Sequence, residues 1–347
     1  MGDRPARREG QGRGAMTVAG LDTEAVRRFF AREIGSGPVR IELLHGGRSN
    51  LTYVVTDGTR RWVLRRPPLG PLTPTAHDVG REYRVMAALG PTDVPVPRTV
   101  FSCTDLGVIG VPFTVVEHVD GLVVRDGTVL STEDARRCAE ALVDELAALH
   151  ALDPAEIGLG DFGRPEGFAS RQVTRWRGQW DRVATRDSTA VEDLHARLVT
   201  ALPRQSGAAL VHGDYRWDNT ILAPGDPGRI AAIVDWEMAA LGDPLTDLGL
   251  LLLYWDPVVT PVLGVRHVPS ANTGFPPADD LAERYARRSG RDLSGLRFHQ
   301  ALACFKLAVI AEGIHARHLA GRTVGTGFDT VGSAVPDLLA LGHDLLA

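Results

Sequence analysis

Two apolar runs, around Leu210-Val211 and Ile221-Leu222, enclose a loop reading His212-Gly213-Asp214-Tyr215-Arg216-Trp217-Asp218-Asn219. A third apolar run, around Ile233-Val234, ends on Asp235. Short apolar segments of this kind fit buried strands, and polar groups trapped between them are costly unless satisfied or used. The arrangement restricts the chain to a fold that brings two strand ends together around acidic side chains. One acid can orient and deprotonate a hydroxyl, while an amide oxygen and a second carboxylate can hold Mg²⁺ against phosphates. Asp214 is the expected base, with Asn219 and Asp235 as metal ligands.

At 347 residues the chain can bury a large core and divide into two domains. Its net charge of −5 gives no electrostatic footprint for nucleic acid or an anionic membrane. The longest apolar run, residues 248–255, is too short to span a bilayer. Residues 1–15 are rich in Gly and Arg and lack the apolar core of a secretory signal, so residues 1–20 are expected to form a disordered tail, with Met16 an alternative start. Three cysteines, Cys103, Cys138 and Cys304, lie far apart, which fits free buried thiols and a cytoplasmic setting. Only one of the 38 basic residues is lysine, Lys306.

The organisation expected is α+β. Asp22 can cap a helix to about Ile34. Residues 39–44, 51–56 and 61–65 read as strands, with Asp57-Gly58 marking a hairpin. A helix over residues 76–89 and strands near 98–103 and 112–118 complete an N-terminal, nucleotide-binding lobe over residues 21–119. Residues 120–347 read as a mostly helical C-terminal lobe carrying the catalytic loop and the acceptor site. Ser131 with Asp134 can cap a long helix ending near His150. Residues 209–237 read as two short strands around a turn at Pro224-Gly225, and helices follow near 244–253, 278–288, 294–321 and 336–346.

The motifs in chain order are Gly46-Gly-Arg-Ser-Asn50, Val63-Leu-Arg-Arg-Pro-Pro68, Arg81-Glu-Tyr-Arg84, Arg171-Gln-Val-Thr-Arg-Trp176, the loop from His212 to Asn219, Asp235-Trp-Glu237 and Gly242-Asp-Pro244. Taken together, from about Leu43 to Gly321, this series resembles the aminoglycoside phosphotransferase and choline kinase superfamily. It resembles most of all the kinase-like domains fused to certain acyl-CoA dehydrogenases and their stand-alone bacterial relatives. That resemblance implies a protein-kinase-like, two-lobe fold and use of ATP (or GTP) with Mg²⁺. It also implies that Glu117 and Val119 present backbone groups to the nucleotide base and that His212 supports the loop instead of acting as a second base.

Gly46 and Gly47 would let backbone approach phosphates, with Ser49 and Asn50 as donors. Two-residue alternation puts Val63 and Arg65 on one strand face, Val63 lining the base slot and Arg65 reaching phosphate with Glu82 as its partner. Arg66 reads as solvated. The wider family uses lysine at the Arg65 position, whereas an arginine stays charged and offers a planar fork. His150 reads as a core or helix-end histidine, and Asp243 as a helix cap. Trp176, Arg216 and Glu237 are candidates for the acceptor side.

Glycine at 213, where protein kinases carry arginine, and the short reach from Asp235 to Asp243 fit an unregulated small-molecule kinase. The expected activity is transfer of a γ-phosphate to a hydroxyl of a small metabolite, a hydroxyacyl thioester being one class. The alternatives are a weakly active or inactive nucleotide- or metabolite-binding pseudokinase, motivated by Arg65, and an aminoglycoside or macrolide acceptor. No oligomeric state follows from the residues.

Overall fold

The computed structural model describes residue 18 and residues 20–44, 50–69, 78–125, 128–323 and 327–347. The chain divides into two compact units. The first comprises the residues up to Gly80 together with Val100–His118, and the second comprises Arg81–Thr99 and Val119–Ala347.

The first unit begins with α1 (Thr23–Phe29), where the Asp22 carboxylate accepts from the Ala25 amide at 2.9 Å, and the helix runs on into a π turn over Phe30–Ile34. Strands β1 (Arg40–Leu43), β2 (Leu51–Thr56) and β3 (Arg61–Arg66) form an antiparallel meander. The β2–β3 loop is closed by Asp57, whose carboxylate accepts from the Thr59 and Arg60 amides, and Gly58 there takes φ +95°. Next along the chain come helix α2 (Val79–Leu89), which belongs to the second unit from Arg81 onward, then β4 (Thr99–Cys103), a single-turn α3 (Leu106–Ile109) and β5 (Phe113–Glu117). The sheet order is β1-β2-β3-β5-β4, with Val63 opposite Val116 and Arg65 opposite Thr114. Helix α1 packs on it through aromatic edges: Phe29 lies 5.0 Å from Phe101 and 4.9 Å from Phe113, and Phe30 5.4 Å from Trp62.

Burial alternates along β3: Trp62, Leu64 and Arg66 are buried, while Val63 and Arg65 share the half-exposed face. The sequence expectation of a solvated Arg66 is therefore wrong. Its guanidinium is buried and donates to the carbonyls of Pro67 and Gly20, so it serves the fold.

The second unit is helical apart from four short strands. Helix α4 (Thr132–Ala151) starts at Ser131, which accepts from the Asp134 amide at 3.1 Å and donates to the Asp134 carboxylate at 2.8 Å, a reciprocal cap. After it come α5 (Phe168–Val183), α6 (Thr189–Thr200), β6 (Ala209–Val211), β7 (Thr220–Ala223), β8 (Asp226–Ile233), β9 (Ala240–Gly242) and α7 (Leu245–Leu253). Single-turn α8 (Thr260–Leu263) precedes α9 (Ala278–Ser289), α10 (Leu296–Leu319) and α11 (Ala334–Asp344). Strand β7 pairs with β8 as the turn at Pro224-Gly225 predicts, and β6 pairs antiparallel with β9, a partner the sequence reading did not place. The core gathers α10 with α5, α6, α7 and α11 around Phe305, Leu302 and Leu338. The three cysteines are free and buried. No helix among the described residues is long and apolar enough to cross a membrane.

Candidate active site

The loop between β6 and β7 is held from beneath by an α7 carboxylate. Asp247 is fully buried in the first turn of α7, and its two oxygens accept from the His212 amide at 2.6 Å and the Gly213 amide at 2.8 Å. The Asp247 carboxylate is also 3.3 Å from Nε2 of His150, whose Nδ1 meets the Tyr285 hydroxyl at 2.8 Å. Burial works against ionised Asp247, but His150 and these donors outweigh it and hold its pKa below the ordinary value. His150 is thus the core histidine expected, with a bracing task.

Gly213 could be no other residue. It sits at φ +82°, and a Cβ there would lie 2.5 Å from the Met238 carbonyl oxygen. His212 donates from Nε2 to the Val234 carbonyl at 2.9 Å and accepts the Asp214 amide on Nδ1 at 3.2 Å. Both ring nitrogens are spent on the loop, so the histidine locks the turn and offers no second base.

Asp214 then projects from a rigid turn. Its Oδ1 accepts the Tyr254 hydroxyl at 2.6 Å, and its Oδ2 accepts Nδ2 of Asn219 at 3.0 Å and Nε of Arg216 at 3.3 Å. Burial raises the pKa of Asp214, yet Arg216, Lys306 and the Tyr254 hydroxyl together hold it below the ordinary carboxylate value. Burial and the facing carboxylate push Tyr254 well above the usual phenol pKa, so it remains a donor. Arg216 spans the loop from Asp214 to Asp218, 3.1 Å from the latter, and its guanidinium lies 5.3 Å from the Tyr254 ring centroid.

Asn219 also donates from Nδ2 to the Asp214 carbonyl at 2.8 Å, which fixes the amide with its oxygen as the acceptor end. The carbonyl of Asn219 receives the Val234 amide at 2.9 Å, tying it to the residue before Asp235. Asp235 has φ +68°, the one non-glycine residue with positive φ among the described residues. A left-handed acidic residue at a strand end is a strained conformation of the kind that collects at functional sites. Amide and carboxylate oxygens are hard donors suited to Mg²⁺. Among the described residues no group of three or more His, Cys, Asp and Glu gathers to cage an ion.

The remaining sequence candidates fall as follows. Trp176 is packed in the helical core beneath two cations, Lys306 at 5.7 Å and Arg175 at 5.5 Å from its ring centroid. Glu237 lies in a 3₁₀ turn, Trp236–Met238. Glu117 ends β5, Val119 begins the longer stretch of the second unit and Glu82 is buried on α2. Asn50 is buried just before β2. Gly46, Gly47 and Ser49 lie outside the described residues, as does nearly all of the expected tail, residues 1–20.

Sequence reasoning missed Tyr254 and undervalued Lys306. Tyr254 sits in an apolar run whose one hydroxyl, once buried, requires an acceptor. Asp243 is the helix cap expected: Oδ1 accepts the Leu245 amide at 3.0 Å and the Ser206 hydroxyl at 2.6 Å.

Residues 40–299 match the model of the phosphotransferase enzyme family, APH. Acyl-CoA dehydrogenase family member 11 of Rattus norvegicus is 36% identical over 305 residues, covering 86% of this chain and 39% of that protein. Its Gallus gallus counterpart is 36% identical over 338 residues, covering 94% and 43%. This chain therefore spans about two-fifths of the length of those relatives. A Ralstonia eutropha crystal structure, described as that of a candidate aminoglycoside phosphotransferase, superposes with TM-score 0.81 at 30% identity, covering 94% of this chain and 98% of that one. An aminoglycoside phosphotransferase solved with ADP and hygromycin B shares the fold, with TM-score 0.62 at 16% identity. The chain belongs to the phosphotransferase enzyme family and has its kinase-like α+β fold.

Proposed function

We propose that the protein is an ATP- and Mg²⁺-dependent O-phosphotransferase that uses Asp214 as the base toward a small hydroxylated acceptor. The observation that carries this is the Asp214 carboxylate itself, aimed by Tyr254, Asn219 and Arg216 from a turn that Asp247 clamps. A carboxylate held at low pKa orients an acceptor hydroxyl and takes its proton late, when the oxygen is already bonding to phosphorus. Asn219 and Asp235 would hold the cation, which supplies charge to offset the phosphate oxygens. In the first unit, nucleotide contacts are assigned to Asn50, Val63, Arg65 and Glu117.

The acceptor proposed is neutral or anionic, a hydroxyacyl thioester being the favoured class. Arg216 lies on Asp214, and Lys306 and Arg175 flank Trp176 nearby. Those cations disfavour a polycationic aminoglycoside, which calls for an acidic cleft. The names of the acyl-CoA dehydrogenase relatives point the same way. The test is ADP release from Mg·ATP with hydroxyacyl-CoAs, aminoglycosides, macrolides and amino alcohols. Turnover with a hydroxyacyl-CoA alone is expected. Turnover confined to an aminoglycoside overturns the acceptor assignment, and binding of Mg·ATP without transfer to any acceptor favours a pseudokinase.

A further inference from the structure

Lys306 is the chain's one lysine, on a helix far along the chain from the catalytic loop. Its ammonium donates to the Gly213 carbonyl at 2.6 Å, the residue immediately before Asp214. The Trp176 ring lies under it, and Glu312, the acid further along α10, is occupied elsewhere by the Thr185 amide and Arg186. An ammonium has three N–H donors. Among the described residues only Gly213 accepts from it, which leaves two of its N–H groups without an acceptor there. Lys306 is half-buried, so those donors are not all lost to the core.

We propose that Lys306 is a catalytic residue: its remaining N–H groups take the oxygens of the phosphoryl group as it passes to the acceptor oriented by Asp214. The proposal rests on the phosphotransferase reading above. In that step the acceptor oxygen bonds to the γ-phosphorus and the bond from phosphorus to the bridging oxygen breaks. ADP leaves with that electron pair, the hydroxyl proton goes to Asp214, and Lys306 keeps its own proton. Charge on the equatorial oxygens is what a fixed ammonium stabilises, and anchoring to a backbone carbonyl spares it reorganisation. Burial pulls the Lys306 pKa below that of an ordinary amine, and Asp214 and Asp247 oppose that pull. An arginine would present a planar fork where one donor must reach Gly213 and others must turn away from it, which lysine's rotating ammonium does.

The single lysine makes the test direct. The full chain is acylated with N-acetoxysuccinimide and the Lys306 peptide is quantified by mass spectrometry, with MgADP alone and with MgADP plus aluminium fluoride, a mimic of the phosphoryl group in flight. In parallel, Mg·ATP hydrolysis with water as acceptor is measured for wild type, Lys306→Met, Lys306→Arg and Asp214→Asn. Aluminium fluoride should slow acylation of Lys306 by about 10-fold over MgADP alone, as expected where a charge-assisted hydrogen bond forms. Lys306→Met should lose roughly 10²-fold in kcat with little change in KM for ATP, and Lys306→Arg should restore part of it. Equal acylation in both complexes, or Lys306→Met at wild-type kcat while Asp214→Asn is inactive, overturns the role of Lys306 and leaves the kinase reading standing. Wild type that neither binds MgADP nor hydrolyses ATP overturns both.

Discussion

At the scale of single residues, backbone conformation marks the site more sharply than side-chain chemistry does. Gly213 is forced by a left-handed φ and by the Met238 carbonyl, so the missing arginine of the protein-kinase motif has a steric cause here. Gly213→Ala should destabilise the protein by about 2 kcal/mol or more, measured by guanidinium unfolding, because the strain and the clash add. A loss below about 0.5 kcal/mol, the scale of an ordinary surface change, would mean that the turn relaxes freely. Asp214, Asn219 and Asp235 stood out in the sequence because acids and amides between apolar strands need a reason, and the structure puts the Asn219 amide on the Asp214 carboxylate. Tyr254 did not, since a tyrosine at the end of an apolar run is ordinary until its hydroxyl is seen on Asp214.

At the scale of elements, α7 is the brace of the site. Its first turn carries Asp247, which holds the loop amides, and Asp243 just before it accepts the Leu245 amide and fixes Ser206. Burial opposes ionised Asp243, but His299 and the Ser206 donors pull its pKa down to about 2 from 3.8. A depressed acid stabilises the fold above its unfolded pKa and loses that contribution as pH falls through the folded value. Asp243→Asn should therefore lose about 2 kcal/mol at neutral pH, with the difference from wild type closing between about pH 4 and pH 2. Urea melts across that range check it; a pH-independent difference would assign the effect to packing instead. Capping signals such as Asp22 and Ser131 with Asp134 gave α1 and α4 correctly, because they are local. Strand β9 is three residues whose pairing with β6 is set by the loop between them, and α6 begins at Ser188, which makes no side-chain cap bond. Neither carries a local signal strong enough to read.

At the scale of the whole molecule, the charge pattern of the second unit includes one acid that opposes folding at neutral pH. Burial, with Asp144 and Asp93 nearby, pushes Glu145 on α4 up to about 7 from 4.5. A raised acid withdraws stability as pH climbs from the unfolded to the folded pKa. Glu145→Gln should be more stable than wild type above pH 7 by about 1–3 kcal/mol and equal to it near pH 4. Differential scanning calorimetry at the two pH values decides, and destabilisation at pH 8 would mean that the ionised group has a partner worth more than its burial. The α+β class and the meander of β1, β2 and β3 were legible from periodicity and turn signals, since strands over residues 39–66 alternate cleanly. The assignment of residues 81–99 to the second unit was not, because it depends on contacts distant in sequence.

The central claim is that one carboxylate serves the phosphoryl transfer and little else. Single-turnover transfer from γ-labelled Mg·ATP should fall by roughly 10²–10⁴ in Asp214→Asn, while the Kd for Mg·ATP stays close to that of wild type. Transfer at the wild-type rate by Asp214→Asn, with the protein folded and the nucleotide bound, would contradict the account.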